Sequence, residues 1–239
     1  MSSPPPAVKR TIDSPLRREQ AALTRRRIVA AASALFAERG YLRTSIDDIA
    51  EAAAVGRATV FKAVGGKPVL LKLAFDVAIA GDDAPVPVRE RPEAKRVEAE
   101  SDTYAAVKLF CRGVAERASR MAPIYWSIVE AAGADDQVRR LAEELDAQRD
   151  RGSELFLADL VRKGPLRPGL DRRRAAQILS VHLEPAAFRT LVVRHGWTVD
   201  RFAAWLADTL THQLLPPRPA RRAGVPERST AATGTRRSR

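Results

Sequence analysis

Residues 44–67, TSIDDIAEAAAVGRATVFKAVGGK, contain the pattern that decides the fold. Thr44 with Asp47, and Ser45 with Asp48, have the hydroxyl–carboxylate spacing that satisfies the free backbone N–H groups at a helix start. Apolar residues then follow at helical spacing, at Ile46, Ile49, Ala50 and Ala53. The first half of the stretch therefore predicts a short amphipathic helix.

A second short helix is predicted at Arg57–Ala63, after a tight turn at residues 54–56. In that turn Gly56 supplies a backbone conformation that other residues avoid, and Val55 is the apolar contact between the two helices. Val60 is expected to face inward, whereas the exposed side carries small and basic residues and no acidic one: Arg57, Ala58, Thr59 and Lys62. A short helix of this composition fits the major groove of DNA.

Together with the helix before it, the segment from Thr24 to Leu71 resembles the DNA-binding domain of the tetracycline-repressor (TetR) family of bacterial regulators. The matching residues are Ile28, Ala32, Leu35, Phe36, Gly40, Tyr41, Thr44, Ile49, Ala50, Ala53, Val55, Thr59, Phe61, Lys67 and Leu70. The resemblance implies a helix-turn-helix domain that binds double-stranded DNA. Its implied contacts are Thr44, Ser45, Arg57, Ala58, Thr59, Phe61, Lys62 and Lys67, with Lys67 on the DNA backbone.

Two positions depart from the pattern of the family. Phe61 stands where the family usually has tyrosine, so one phosphate-directed hydroxyl is missing, and Val64 stands where an aromatic residue is usual. The lost hydroxyl removes one backbone hydrogen bond, worth about 0.5–1.5 kcal/mol. The fold does not depend on either position.

The positive charge of the chain lies at its ends. The net charge is +12 over 239 residues. Residues 1–27 carry seven basic and two acidic side chains, and residues 216–239 carry seven basic and one acidic, so the remainder is close to neutral. Basic ends of this kind suit DNA phosphate contacts that carry no sequence information.

Composition also indicates a cellular compartment. Cys111 is the only cysteine, so no disulfide forms within the chain, which fits a reducing cytoplasm. The first residues contain no apolar leader, and the most apolar stretch, 69–80, is interrupted by Lys72 and Asp76. We therefore expect a cytoplasmic protein with no membrane partner.

The predicted fold is all-α, with an N-terminal three-helix DNA-binding domain and a C-terminal helical domain for ligand binding and dimerisation. Its predicted segments are a disordered basic arm (1–19), the helix-turn-helix domain with a connecting helix (20–80), a linker (81–100), the C-terminal domain (101–215) and a disordered basic tail (216–239). The arm is either a minor-groove contact or a solvated tail.

The helices of the C-terminal domain are placed by breaks and caps. A first helix is expected to end near Ala122 and a short one to open at Pro123. Asp135 or Asp136 should cap a long charged helix, and Pro185 should interrupt the helix that Asp171 caps. Thr198 should cap the last helix.

The C-terminal half also resembles the ligand-binding and dimerisation domain of the same family, chiefly over residues 183–210. The resemblance implies a homodimer on a palindromic operator and a small-molecule effector of unknown identity. The expected dimer contacts are Phe188, Phe202, Trp205 and Leu206, and the expected pocket residues are Tyr104, Phe110, Trp126, Phe156 and His182. Packing within one chain is the alternative for the last two helices.

No motif indicates an enzyme, a metal site or a cofactor. His182, His195 and His212 have spacings that fit no local metal motif. The favoured function is a one-component transcriptional regulator, most simply a repressor, although the sequence does not separate repression from activation. Two alternatives stay open: a nonspecific, nucleoid-type protein that binds DNA through its basic tails, and a helical interaction protein that has lost DNA binding.

Overall fold

The computed structural model describes residues 15–82, 84 and 86–218. All regular secondary structure of these residues is helical, which confirms the all-α prediction. The helices are α1 (Pro15–Arg39), α2 (Ile46–Ala52), α3 (Arg57–Ala63), α4 (Lys67–Ala80), α5 (Pro92–Ala99), α6 (Thr103–Ala131), α7 (Asp136–Lys163), α8 (Arg172–His182), α9 (Pro185–Phe188) and α10 (Val199–Leu214). A 3₁₀ turn at Val88–Glu90 precedes α5, and a π-helical segment at Arg189–Arg194 continues α9.

Helices α1 to α4 form the N-terminal domain around a shared apolar core. Each helix contributes fully buried side chains, including Ile28, Phe36, Ile49, Val60 and Leu70. The observed bounds of α3, Arg57–Ala63, are those predicted from the sequence. The apolar stripe of residues 46–53 faces inward, as its spacing predicts.

One of the two predicted caps of α2 is wrong. Ser45 and Asp48 form a capping box, with the Asp48 N–H donating to Ser45 Oγ and the Ser45 N–H donating to Asp48 Oδ2. Thr44 lies one residue outside the cap, and its hydroxyl donates instead to the carbonyl of Gly40 at 2.9 Å. A helix has one N-cap position, so only one of two overlapping pairs can occupy it.

The turn between α2 and α3 takes its unusual backbone conformation at Ala54, not at Gly56. Ala54 has φ of 51°, in the left-handed region, whereas Gly56 has an ordinary φ of −75° and is the N-cap of α3. Val55 packs against the core as expected. The prediction for Gly56 fails because the left-handed residue directly follows the α2 C-cap, Ala53, where helices commonly end in this way.

Helix α6 runs through the middle of the C-terminal domain, against α4, α5, α7 and α10. It is continuous from Thr103 to Ala131 with Pro123 inside it, so the predicted break at Ala122 is wrong. The neighbours of Pro123, including Met121, Ala122 and Ile124, are buried, and their packing outweighs the backbone hydrogen bond that proline removes.

The predicted linker at 81–100 is also wrong, because residues 92–99 form α5. Proline at its first position begins the helix. None of its residues is buried, so apolar periodicity did not mark it. Contact with α6 holds the helix in place.

The remaining caps and breaks follow the sequence. Asp135, Asp171 and Thr198 each accept a backbone N–H bond at the start of α7, α8 and α10 respectively. Helix α8 ends at His182, and Pro185 opens α9. These four predictions are confirmed.

Both predicted disordered ends are shorter than expected among the described residues. Residues 15–19 belong to α1, so the predicted arm of 1–19 extends too far. Arg218 pairs with Asp102 at 2.9 Å and lies over the ring of Tyr104, so the tail does not begin at 216. The predictions for 1–14 and 219–239 lie outside the described residues. No described helix combines the length and the apolar character that crossing a membrane requires.

Candidate DNA-binding surface and effector cavity

Helix α3 is anchored by one fully buried side chain, with Ala63 partly buried at its end, and exposes the others. Val60 is fully buried, and the side chains of Ala58, Thr59, Phe61 and Lys62 are exposed. Phe61, at 46% exposure, brings an apolar ring to this surface. A surface with a basic, a hydroxyl and a methyl group can contact base edges and thymine methyls.

Arg57, at the start of α3, is held by an ion pair. Its Nη1 lies 2.5 Å from Asp47 Oδ2, and its guanidinium lies over the Phe61 ring, 5.5 Å from the centroid. Both charged side chains are more than half exposed. Exposed pairs contribute little, so a phosphate or a base edge can replace Asp47 as the partner of Arg57.

The two predicted hydroxyl contacts have structural partners. Thr44 is 1% exposed, and its hydroxyl donates to the backbone of α1 and of the turn that follows. This hydroxyl therefore does not reach the surface. Ser45 is exposed, but its hydroxyl belongs to the α2 cap and lies 2.7 Å from Asp48 Oδ2. The Ser45–Asp48 hydrogen bonds lower the pKa of the Asp48 carboxyl, which therefore stays ionised beside the surface.

Lys67 lies at the first position of α4 and ties this helix to the loop between α1 and α2. Its Nζ donates to the carbonyls of Tyr41 at 2.9 Å and Thr44 at 3.0 Å, and it lies 4.0 Å from the centroid of the Tyr41 ring. Burial lowers the pKa of Lys67. An ammonium has three N–H donors, so one is left for a DNA phosphate.

Two arginines of α1 hold the helix-turn-helix, and the sequence did not indicate this role. Arg25 Nη1 donates to the carbonyl of Ala63 at the end of α3, at 3.2 Å, and Arg27 Nη2 donates to the carbonyl of Ala53 at the end of α2, at 2.5 Å. Cations commonly satisfy the last carbonyls of a helix. Pairing over 38 and 26 residues of sequence leaves no local signal.

Tyr41 joins the N-terminal domain to α6 and α7. Its backbone N–H donates to Ser127 Oγ at 2.6 Å, and its hydroxyl donates to Asp135 Oδ2 at 2.8 Å. Burial and the Asp135 carboxylate both raise the pKa of Tyr41, while the Tyr41 hydrogen bond lowers the pKa of Asp135. The N-cap of α7 is thus also an inter-domain contact.

A cavity of about 450 Å³ opens between α4, α5, α6 and α7 and reaches α9 and α10. Most of its lining is apolar and includes Phe75, Ile79, Met121, Phe188 and Phe202. Its volume lies within the range of about 300–1,000 Å³ typical of small-molecule sites.

Three of the five predicted pocket residues line this cavity. Phe110 and Phe156 are stacked at 3.6 Å between ring centroids, and His182 completes the set. Tyr104 is not among the lining residues, because its hydroxyl donates to the Pro216 carbonyl. Trp126 is not either, since it packs between the two apolar cores with Arg189 over its ring at 4.2 Å.

Three of the four predicted dimer contacts lie inside the subunit. Phe188, Phe202 and Leu206 are at most 3% exposed, and the Phe188 and Phe202 rings meet edge to face at 5.2 Å. They form the inner faces of α9 and α10, next to α6. The prediction that these three form a dimer interface is wrong, and only Trp205 keeps part of its surface.

Residues 28–73 match the model of a family described as bacterial regulatory proteins, tetR family. The N-terminal domain is a TetR-family DNA-binding domain. The match covers α2, α3 and most of α1 and α4, and it confirms the family prediction. Proteins with this domain are DNA-binding regulators of transcription. No curated protein matches this sequence.

Solved structures of regulators extend the likeness in fold to the C-terminal domain. FadR from Bacillus subtilis, in complex with stearoyl-CoA, is 17% identical over 77% of this chain and 96% of its own, with a TM-score of 0.62. NalD, the secondary repressor of the MexAB-OprM multidrug efflux pump in Pseudomonas aeruginosa, is 22% identical over 82% of this chain and 97% of its own, with a TM-score of 0.61. A regulator from Saccharomonospora viridis in complex with choline is 18% identical over 81% of this chain and 98% of its own, with a TM-score of 0.59.

Proposed function

We propose that this regulator is a repressor that binds a palindromic operator as a homodimer and leaves it when a small molecule enters the cavity. The TetR-type domain and the exposed face of α3 support DNA binding. NalD, similar in fold, is a repressor, and two other proteins of this fold carry small molecules in their crystals.

The position of α4 carries the proposal. The helix begins at Lys67, with three residues between it and the end of α3, and two of its side chains, Phe75 and Ile79, line the cavity. Fourteen residues of helix make a rod about 20 Å long. A ligand that shifts one end of this rod moves the recognition helix at the other end. Release then requires that the ligand bind the released conformation more tightly than the DNA-bound one.

DNA contacts divide into two groups. Arg57, Ala58, Thr59, Phe61 and Lys62 face the major groove, where Lys62 suits a guanine edge. The third N–H of Lys67 contacts a phosphate beside the groove. In a symmetric dimer the two α3 helices lie about 34–36 Å apart, one turn of DNA.

The dimer forms through the outer faces of the same C-terminal helices whose inner faces fill the core. Val181 at the end of α8 and Val193 in the π-helical segment are 67% and 66% exposed, the highest values among the large exposed apolar residues. Trp205 on α10 is also partly exposed. Apolar side chains that one chain leaves uncovered fit a two-fold interface.

The test is a selection of random double-stranded DNA by the purified full chain at two salt concentrations. A repressor should enrich a palindrome that survives the higher salt. Lys62→Ala should relax the sequence preference at specific positions and cost about 1–3 kcal/mol of binding. Lys108→Ala, an exposed lysine on α6, is the matched control and should change neither.

The opposite result has a definite meaning. If no sequence is enriched and binding disappears as salt rises, the basic ends alone bind phosphate, as in a nucleoid-type protein. The proposed repressor function would then be wrong.

A further inference from the structure

Arg117, on α6, lies where the apolar cavity meets a smaller polar one. It lines both the cavity of about 450 Å³ and an adjoining space of about 280 Å³. Apolar side chains form most of the larger space, while charged groups surround the smaller one: Asp82, Arg91, Glu93, Glu116 and Arg120. A bound molecule that reaches Arg117 therefore has an apolar part on one side and this charged group on the other.

Neighbouring arginines have partners, and Arg117 has none among the described residues. Arg91 pairs with Asp82 at 2.7 Å, Arg149 pairs with Glu184 at 2.7 Å, and Arg120 donates to the Ala78 carbonyl at 3.1 Å. Among the residues that the structure describes, no hydrogen-bond acceptor or carboxylate lies within bonding distance of the Arg117 guanidinium. Arg117 is half-buried, and its guanidinium keeps all of its N–H donors available, so an anion can bind there through charge-assisted hydrogen bonds.

The electrostatics around Arg117 favour the binding of an anion. Burial lowers the pKa of Arg117, and the positive charge of Arg120 lowers it further. The carboxylates of Glu116 and Glu93 oppose this shift without cancelling it. Arg89, exposed at the edge of the larger cavity, adds a second cation that has no ion pair among the described residues. Two of the acidic groups that line the larger cavity, Asp159 and Glu184, are already paired with Lys163 and Arg149.

Gly113 makes room for the guanidinium. A Cβ at this position would lie 3.0 Å from Arg117 Nη1, tighter than nine in ten such contacts, so the guanidinium would have to shift by a few tenths of an ångström. Glycine inside a helix is less favourable than alanine, so the position sacrifices helix stability. The space that it leaves is used by the charged end of Arg117, one helical turn away.

We infer that Arg117 recognises an anionic head group and that the effector is an amphiphile with a carboxylate or phosphate head and an apolar body. The inference rests on the proposed function, since it names the chemistry of the molecule that enters the same cavity. Guanidinium groups bind both kinds of head group through paired N–H donors.

Calorimetric titration of the full chain tests this inference. The probes are octanoate, dodecanoate, hexadecanoate and dodecyl phosphate, below their micellar concentrations, with dodecyltrimethylammonium as the cation of matched chain length. At least one anion should bind, and Arg117→Gln should weaken it at least about tenfold, the loss expected for charge-assisted hydrogen bonds. Arg112→Gln, an exposed arginine on the same helix, is the control and should leave the affinity unchanged.

Two further measurements separate binding from folding. Arg117→Gln should not lower the melting temperature, because it removes a charge that has no partner. Gly113→Ala should displace the guanidinium and therefore lower the affinity for the anion. Its melting temperature should be equal to or higher than that of the unchanged protein. Loss of affinity with an intact fold in both variants supports direct recognition by Arg117.

The inference is wrong if none of the anions binds, if Arg117→Gln binds them as tightly as the unchanged protein, or if the trimethylammonium probe binds as well as dodecanoate. The DNA selection is independent of these titrations. Arg117-dependent binding of an anion together with no enriched operator would preserve this inference and reject the proposed repressor function.

Discussion

Tyr41 connects the two domains through its hydroxyl, which donates to Asp135 at 2.8 Å. Tyr41→Phe keeps the buried ring and removes this bond, so we expect the free energy of unfolding to fall by about 0.5–1.5 kcal/mol at neutral pH. Denaturant titration measures it. Because the bond lowers the pKa of Asp135 in the folded state, its contribution is complete above the ordinary aspartate pKa of about 3.9 and is lost as pH falls through the lowered value.

Tyr104→Phe is the matched control for this pH dependence. Its hydroxyl donates to a backbone carbonyl, that of Pro216, which does not titrate. The stability lost in Tyr104→Phe should therefore be the same in acid as at neutral pH, whereas the loss in Tyr41→Phe should shrink in acid. Equal behaviour of the two variants would show that the Tyr41 hydroxyl does not interact with an ionised Asp135.

Helix α6 carries an exposed proline in its interior, and the packing of its neighbours keeps the helix continuous. Pro123→Ala restores a backbone N–H opposite the Ser119 carbonyl. We expect the free energy of unfolding to rise by about 1–2 kcal/mol, the helix gain less the extra entropy of the unfolded chain. Pro92→Ala, at the first position of α5, is the control, because no backbone N–H is needed there. A lower stability of Pro123→Ala would mean that the helix requires the proline.

The whole molecule is expected to be a symmetric dimer that contacts itself through Val181 and Val193. Val193→Asp should produce a monomer in analytical ultracentrifugation, because a two-fold interface repeats the buried carboxylate on both sides. In the DNA selection this variant should no longer enrich a palindrome, since the single α3 of a monomer contacts only half of the operator. Val86→Asp, an exposed valine before α5, should stay dimeric. If Val193→Asp stays dimeric, the dimer interface does not include Val193 and lies on another surface.

The sequence by itself determined the elements whose causes are local. The Ser45–Asp48 capping box, the bounds of α3 and the caps at Asp135, Asp171 and Thr198 depend on groups at most three residues apart. The inward stripe of α2 depends on the helical period alone. These features indicate the all-α fold, whereas the DNA-binding domain was predicted from the resemblance to the TetR family over residues 24–71.

Only the tertiary structure decided what depends on distant contacts. Buried neighbours on both sides kept α6 intact at Pro123, which local preference alone would not do. By sequence alone, the apolar residues of α9 and α10 could equally face α6 or a second chain. In the structure Phe188, Phe202 and Leu206 pack in the core of one subunit. Arg117 looks like any surface arginine in the sequence. Its lack of a partner exists only where three helices enclose it, because the number of partners within reach is a property of the assembled fold.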